Sequence, residues 1–267
     1  MRIDERLGEE TLWYLRARLF FYQLFQKYLG NEPVFELFEA GFAQECTSVL
    51  GDLAAFSPQF EKAQIAYGRL VDMWRDDPGG FLENAKREYM VMFIGPASLK
   101  APPWESVYRS AEPLLFQKST LEVRRAYQQE DYIPDGYPHV ADDHIAYELD
   151  FMAKLAERIA VVIKVDPDFQ PADHTLDENT NENEYDVLDA FISFKLRPVF
   201  NDALLASSSF LEEHLLKWVP DYIKAAQYYE QFRIYPTLLE IMMSFLQIDK
   251  SVLVFILDDI LDDDIKE

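Results

Sequence analysis

The chain has 267 residues, 49% of them hydrophobic, enough to bury a substantial core, which excludes a wholly disordered or fibrous protein. Its 48 acidic residues against 25 basic ones give a formal net charge of −23. Such a field repels phosphate backbones, excluding nucleic acid as the expected partner, and draws in cationic partners such as an arginine-bearing peptide, besides keeping the protein soluble.

Met1 to Glu10 is charged and has none of the basic, apolar and small-residue regions of a secretory signal. The single cysteine, Cys46, cannot close an internal disulfide and is expected to be an ordinary buried thiol, so a reducing, cytoplasmic setting is expected. Apolar residues recur at three-to-four-residue spacing with few glycines, which predicts an all-α fold. A first long helix is predicted over Glu9 to Leu29, apolar on most sides through Leu12, Trp13, Leu15, Leu19, Phe20, Phe21, Leu24 and Phe25, with Gly30 as its C-cap. Further helices are predicted over Pro33 to Ala40, Ala43 to Leu53, Pro58 to Arg75 and Gly80 to Phe93, with a turn at Asp76-Asp77-Pro78-Gly79-Gly80.

Gly95 to Pro103 contains three prolines and breaks the chain again. A shorter helix is predicted over Thr120 to Gln129, then a loop through Tyr132 to Pro138. From Asp142 to Lys164, Ile145, Leu149, Met152, Ala156, Ile159 and Ile163 form one apolar stripe. Asp166 to Asp186 is rich in Asp, Glu, Asn and Pro and reads as a solvated insertion. Helical patterning resumes over Tyr185 to Leu205, Phe210 to Gln231 and Pro236 to Leu246, and an acidic tail follows from Asp258. The stretches Leu12 to Leu29 and Ile241 to Leu257 carry too many charged and polar residues to give the ~20 nearly uncharged residues of a membrane-spanning helix. A single domain, residues 1–267, with an insertion at 166–186, is expected.

No Gly-x-Gly, phosphate loop, Gly-x-Ser-x-Gly elbow or His-Glu-x-x-His helix is present, so no cofactor and no enzymatic activity are expected. Two segments stand out from the helical pattern. In Ala101-Pro102-Pro103-Trp104-Glu105-Ser106-Val107-Tyr108, the prolines hold an extended stretch that either presents Trp104 and Tyr108 to a peptide or lets them plug the core. At Asp142-Asp143-His144 the carboxylates precede a helix, where one of them is expected to cap it. His144 and Glu148 lie four residues apart, beside the stripe, and could rim a groove with an apolar floor. A metal site drawn from His139, Asp142, Asp143, His144 and Glu148 matches no established ligand spacing.

Taken in order, Glu88-Tyr89 through Phe93-x-Gly95-Pro96, the Ala101 to Tyr108 stretch, Thr120-x-x-Val123-Arg124-x-x-Tyr127 and Asp143-His144-x-x-x-Glu148-Leu149-x-Phe151-Met152 resemble the TorD/DmsD family. His214-Leu215-x-x-Trp218-x-Pro220 extends the likeness, which covers roughly residues 10 to 248. The resemblance implies a helical chaperone that binds the twin-arginine signal peptide of a molybdopterin oxidoreductase precursor and delays export until the cofactor is loaded. It associates Pro102, Pro103, Trp104, Asp143 and His144 with the peptide. Asp142, Asp143 and Glu148 are then the expected arginine partners, Trp104 and Tyr108 the apolar contacts, and His144 the residue that orients the site. The resemblance also implies a monomer or a helix-swapped homodimer without stable membrane insertion. The sequence departs from the family at Ala141, where proline is usual, at Pro236, and in the 166–186 insertion. The alternatives are a chaperone of a non-exported nitrate reductase-type enzyme and a helical metallohydrolase using His139 and His144.

Overall fold

A computed structural model describes residues 9–95, 99, 101–109, 118–165, 198–228 and 230–264. Regular structure among them is helical, as the apolar spacing predicts, and the one β-type contact among them is an isolated antiparallel bridge between Trp104 and His144. In chain order the helices are α1 (Glu9–Gly30), α2 (Phe35–Gly41), α3 (Gln44–Phe56), α4 (Glu61–Asp76), α5 (Pro78–Tyr89), α6 (Glu105–Arg109), α7 (Lys118–Gln129), α8 (Ile145–Val165), α9 (198–210), α10 (Leu216–Ala226) and α11 (Ile234–Asp264). A 3₁₀ turn, Pro58–Phe60, leads into α4, and π turns Met90–Ile94 and Leu211–Leu215 follow α5 and α9. The insertion at 166–186 and the start of the helix predicted from Tyr185 lie outside the described residues.

α1 and α8 pack along each other as the central pair. Gly30 ends α1 without a left-handed conformation; its small size serves the packing instead, because a Cβ there would stand 2.7 Å from the Cβ of Ala146 in α8. All six residues of the α8 stripe are buried, and Phe151, Leu155 and Val162 widen it, so α8 is covered on more than one face. α11 lies against α4, α5 and α10 and meets α1 through Phe245, whose ring is 4.8 Å from Phe21 and 5.0 Å from Tyr22. Each such ring contributes about 1.5–3 kcal/mol by leaving water.

One tie in this core was not predicted. Arg18 on α1 is fully buried and donates from Nε (2.6 Å) and Nη2 (3.1 Å) to the carboxylate of Asp249 on α11, which also accepts from the hydroxyls of Tyr14 and Tyr22. The ion pair compensates the buried charge, while Arg18 Nη1 has no hydrogen-bond partner among the described residues.

Two predicted breaks are shorter than expected. The Asp76 to Gly80 turn narrows to Asp77, whose Oδ1 accepts from Gly80 N at 2.9 Å as the N-cap of α5, with Pro78 in the first turn. Pro236 does not interrupt the last helix but lies in the first turn of α11, where its missing N–H leaves no bond unmade. The cap of α11 comes from far away in sequence. Glu88 of the Glu88-Tyr89 motif accepts from the N–H groups of Arg233 (2.8 Å), Ile234 (2.9 Å) and Tyr235 (3.0 Å). Burial pushes the Glu88 pKa up, and these three amides pull it part of the way back.

Candidate functional site

The chain from Ala101 to Trp104 is extended because prolines at 102 and 103 exclude helix, and it docks on the residues just before α8. Glu105 N donates to Asp143 O (3.0 Å) and Ile145 N to Pro103 O (2.9 Å), the two bonds of the Trp104–His144 bridge. The Pro102-Pro103-Trp104 loop and the Asp143-His144 pair therefore form one corner. The Trp104 and His144 rings meet edge to face at 5.2 Å, and Tyr147 closes the other side of His144 at 5.8 Å. Trp104, Tyr108 and Pro102 are half-buried, while Pro103 is buried.

The capping roles differ from expectation. Asp143 Oδ2 accepts from Ser106 N at 2.8 Å and so caps α6, while the start of α8 is capped by His144, whose Nδ1 accepts from Ala146 N at 3.1 Å. That bond puts the ring proton on Nε2. Burial lowers the His144 pKa to about 4, so the ring is neutral at physiological pH.

The three expected arginine partners do not stand at a rim. Asp142 is 1% exposed and is paired with Arg124, whose Nε lies 2.7 Å and Nη2 2.6 Å from its Oδ2; Tyr127 donates to its backbone carbonyl. Asp143 and Glu148 are 0% exposed. Glu148 sits beneath the site, where Trp218 Nε1 of α10 donates to its Oε2 at 3.0 Å. Its pKa is raised well above the usual carboxylate value, first by burial and then by the charge of Glu105. The helical spacing that placed Glu148 beside the apolar stripe is correct, but α10 covers that side and turns it into core.

Sequence reasoning missed the partners from α6, α10 and the second π turn. Glu105 Oε2 is 2.9 Å from Nδ1 of His214, and its Oε1 accepts from Arg109 Nη1 at 2.7 Å; Arg109 also donates to Glu213 O at 2.9 Å. Tyr108 stacks on Trp218 at 5.6 Å. The signal was present in His214-x-x-x-Trp218, but nothing local ties those residues to a segment more than a hundred positions earlier. Beyond Asp142, an apolar pocket of about 160 Å³ opens between Tyr127, Tyr132, Pro134 and Tyr137, with Ile133 at its edge 74% exposed. Arg124 lies over the Tyr137 ring, 5.3 Å from its centre.

Among the described residues no three His, Cys, Asp or Glu side chains are grouped to hold a metal ion; His139 is exposed, and His144 Nδ1 is taken by Ala146. No helix among them is long and apolar enough to cross a membrane. Cys46 is half-buried rather than buried, and its thiol donates to Ala40 O at 3.2 Å.

These features define an all-helical protein with a proline-braced aromatic corner set on an inward-turned acidic cluster. Residues 56–164 match the profile of the family described as nitrate reductase delta subunit. The chain is 24% identical to the chaperone protein TorD of Vibrio vulnificus over 92% of its own length and 94% of the relative's. It is 30% identical to the Tat proofreading chaperone DmsD of Salmonella paratyphi A over 41% of its own length and 61% of the relative's. A probable Tat proofreading chaperone DmsD of Haemophilus influenzae is 37% identical over 78 residues, 29% of this chain and 38% of that protein. The chain is thus similar to TorD and DmsD chaperones, and the likeness to TorD spans nearly its whole length.

Proposed function

We propose that the chain is a cytoplasmic, non-catalytic chaperone that binds the twin-arginine leader of an exported molybdoenzyme precursor and holds it while cofactor is loaded. The observation that carries this reading is the bridge joining Trp104 to His144, which makes one recognition corner from two segments 40 residues apart. Relatives named as Tat proofreading chaperones support it.

In this reading Trp104, Tyr108 and Pro102 give apolar contact, and the neutral His144 donates one hydrogen bond from Nε2. The pocket beside Tyr137 takes an apolar side chain of the leader. Asp142, Asp143, Glu148 and Pro103 are positioning residues that hold the corner in shape. Burying a few leucine-sized side chains at ~1.5–3 kcal/mol each supplies most of the affinity, offset by the ordering of the peptide. Residues 1–267 act in this proposal as one unit, consistent with the packing of Phe151 against Phe210 across the 166–197 segment.

Calorimetric titration of the leader peptide of a candidate client tests the reading. Trp104→Ala, which removes a central aromatic contact, is expected to weaken binding roughly thirtyfold, the scale of a 2 kcal/mol interface anchor. Unchanged affinity in both Trp104→Ala and His144→Ala would remove the corner from the site. The nitrate reductase delta subunit match favours a second reading, a client without a leader. Equal capture of a precursor and of its leaderless form would select that reading.

A further inference from the structure

We infer that a second depression, the groove between α7, α8 and α9, seats an arginine side chain of the bound leader; this rests on the leader-binding reading above. The groove has a volume of about 380 Å³. Its floor is apolar: the rings of Phe151 and Phe210 meet there at 4.8 Å, flanked by Ala126 and Ala206. Its rim carries Asp202 on α9 and Glu213 on the π turn, both exposed. Neither carboxylate has a hydrogen bond or ion pair among the described residues, whereas Glu130 on the opposite wall is neutralised by Arg158 at 2.7 Å.

Two unpaired carboxylates above an aromatic and methyl floor match one side-chain chemistry. An arginine has an apolar stem to lay on the floor and a flat, weakly hydrated cation with several donors for the rim. A leucine or phenylalanine would gain the floor but strip water from the carboxylates without offering them a donor.

The groove is also tied to the aromatic corner. His214, beside Glu213, bonds Glu105, which directly follows Trp104, and Arg109 of α6 holds the carbonyl of Glu213. The π turn makes this possible by burying Leu211, His214 and Leu215 while Glu212 and Glu213 face outward.

The test uses the full chain and two synthetic peptides, one with adjacent arginines ahead of a leucine- and alanine-rich stretch, the other with both arginines replaced by glutamine. Affinity is measured for wild type, for the surface variant Asp202→Asn/Glu213→Gln and for Trp104→Ala, each checked for a wild-type melting curve. The double variant is expected to bind the arginine peptide roughly fivefold more weakly, as two exposed charge pairs would give, with a flatter salt dependence. It should bind the glutamine peptide as wild type does, and Trp104→Ala should weaken both. If the double variant keeps full affinity for the arginine peptide while Trp104→Ala loses it, the groove is not the arginine seat and the leader reading stands. If wild type binds neither peptide, the leader reading fails and this inference fails with it. If the double substitution instead abolishes self-association in sedimentation without changing peptide affinity, the groove belongs to a second copy of the chain and the inference is overturned.

Discussion

At the scale of single residues, the corner is built on groups whose ionisation the fold has shifted away from the ordinary. Burial takes His144 from 6.5 to about 4. The unfolded chain gains this proton near pH 6.5 and the folded one only near pH 4, so the stability tied to the neutral ring is complete above 6.5 and drains away as pH falls through that window. The His144 carbon resonances in an NMR titration are expected to move with a midpoint near 4; a midpoint at or above 6.5 would mean a ring open to water or paired with a carboxylate. Glu148 is shifted the opposite way for its type. Burial first, and then Glu105, keep it protonated where the unfolded chain ionises at about 4.5, so stability falls as pH rises above that value. Glu148→Gln copies the protonated form and keeps an acceptor for Trp218 Nε1. Chemical denaturation is expected to find this variant more stable than wild type at pH 8, with the gap closing towards pH 4.5. A less stable variant at pH 8 would show that the carboxylate is ionised and paired.

At the scale of elements, the tie between α1 and α11 sets a sharper requirement than the apolar contact around it. Among the described residues Asp249 alone balances the buried Arg18 guanidinium, and it also satisfies two tyrosine hydroxyls. Asp249→Ala is expected to cost about 3–5 kcal/mol, because it leaves a buried charge uncompensated, whereas Arg18→Met/Asp249→Leu should recover most of that loss. Urea unfolding of the three proteins checks this; a double variant no better than the single would mean that the tyrosines carry the tie. The same network shows what the sequence could tell. The helices and the α8 stripe were legible because a period of about 3.6 residues is written locally in residues such as Ile145, Leu149 and Met152. Arg18 and Glu88 were not legible, since each is explained only by a partner at Asp249 or Arg233 to Tyr235. The corner was half legible. Motif order joined Trp104 to His144, but whether Asp142, Asp143 and Glu148 face solvent or core depended on the positions of Arg124, α6 and α10.

For the whole molecule, the net charge of −23 acts on folding and on binding with opposite signs. Crowding like charges into a compact state opposes folding, and the exposed pairs Lys118–Glu122, Lys154–Glu157 and Lys224–Asp221 return little of that cost. Added salt shortens the Debye length from about 10 Å at 0.1 M to about 3 Å at 1 M, so it relieves the repulsion while it weakens the attraction we propose for a cationic leader. Raising salt across that range is expected to lift the melting temperature by about 2–4 °C, the equivalent of about 1 kcal/mol for a chain of this size. Over the same range, affinity for an arginine-bearing peptide should decline. A melting temperature and an affinity that fall together would mean that exposed ion pairs, rather than net repulsion, set the energy of the folded chain, and the acidic excess would then lose its part in steering the peptide.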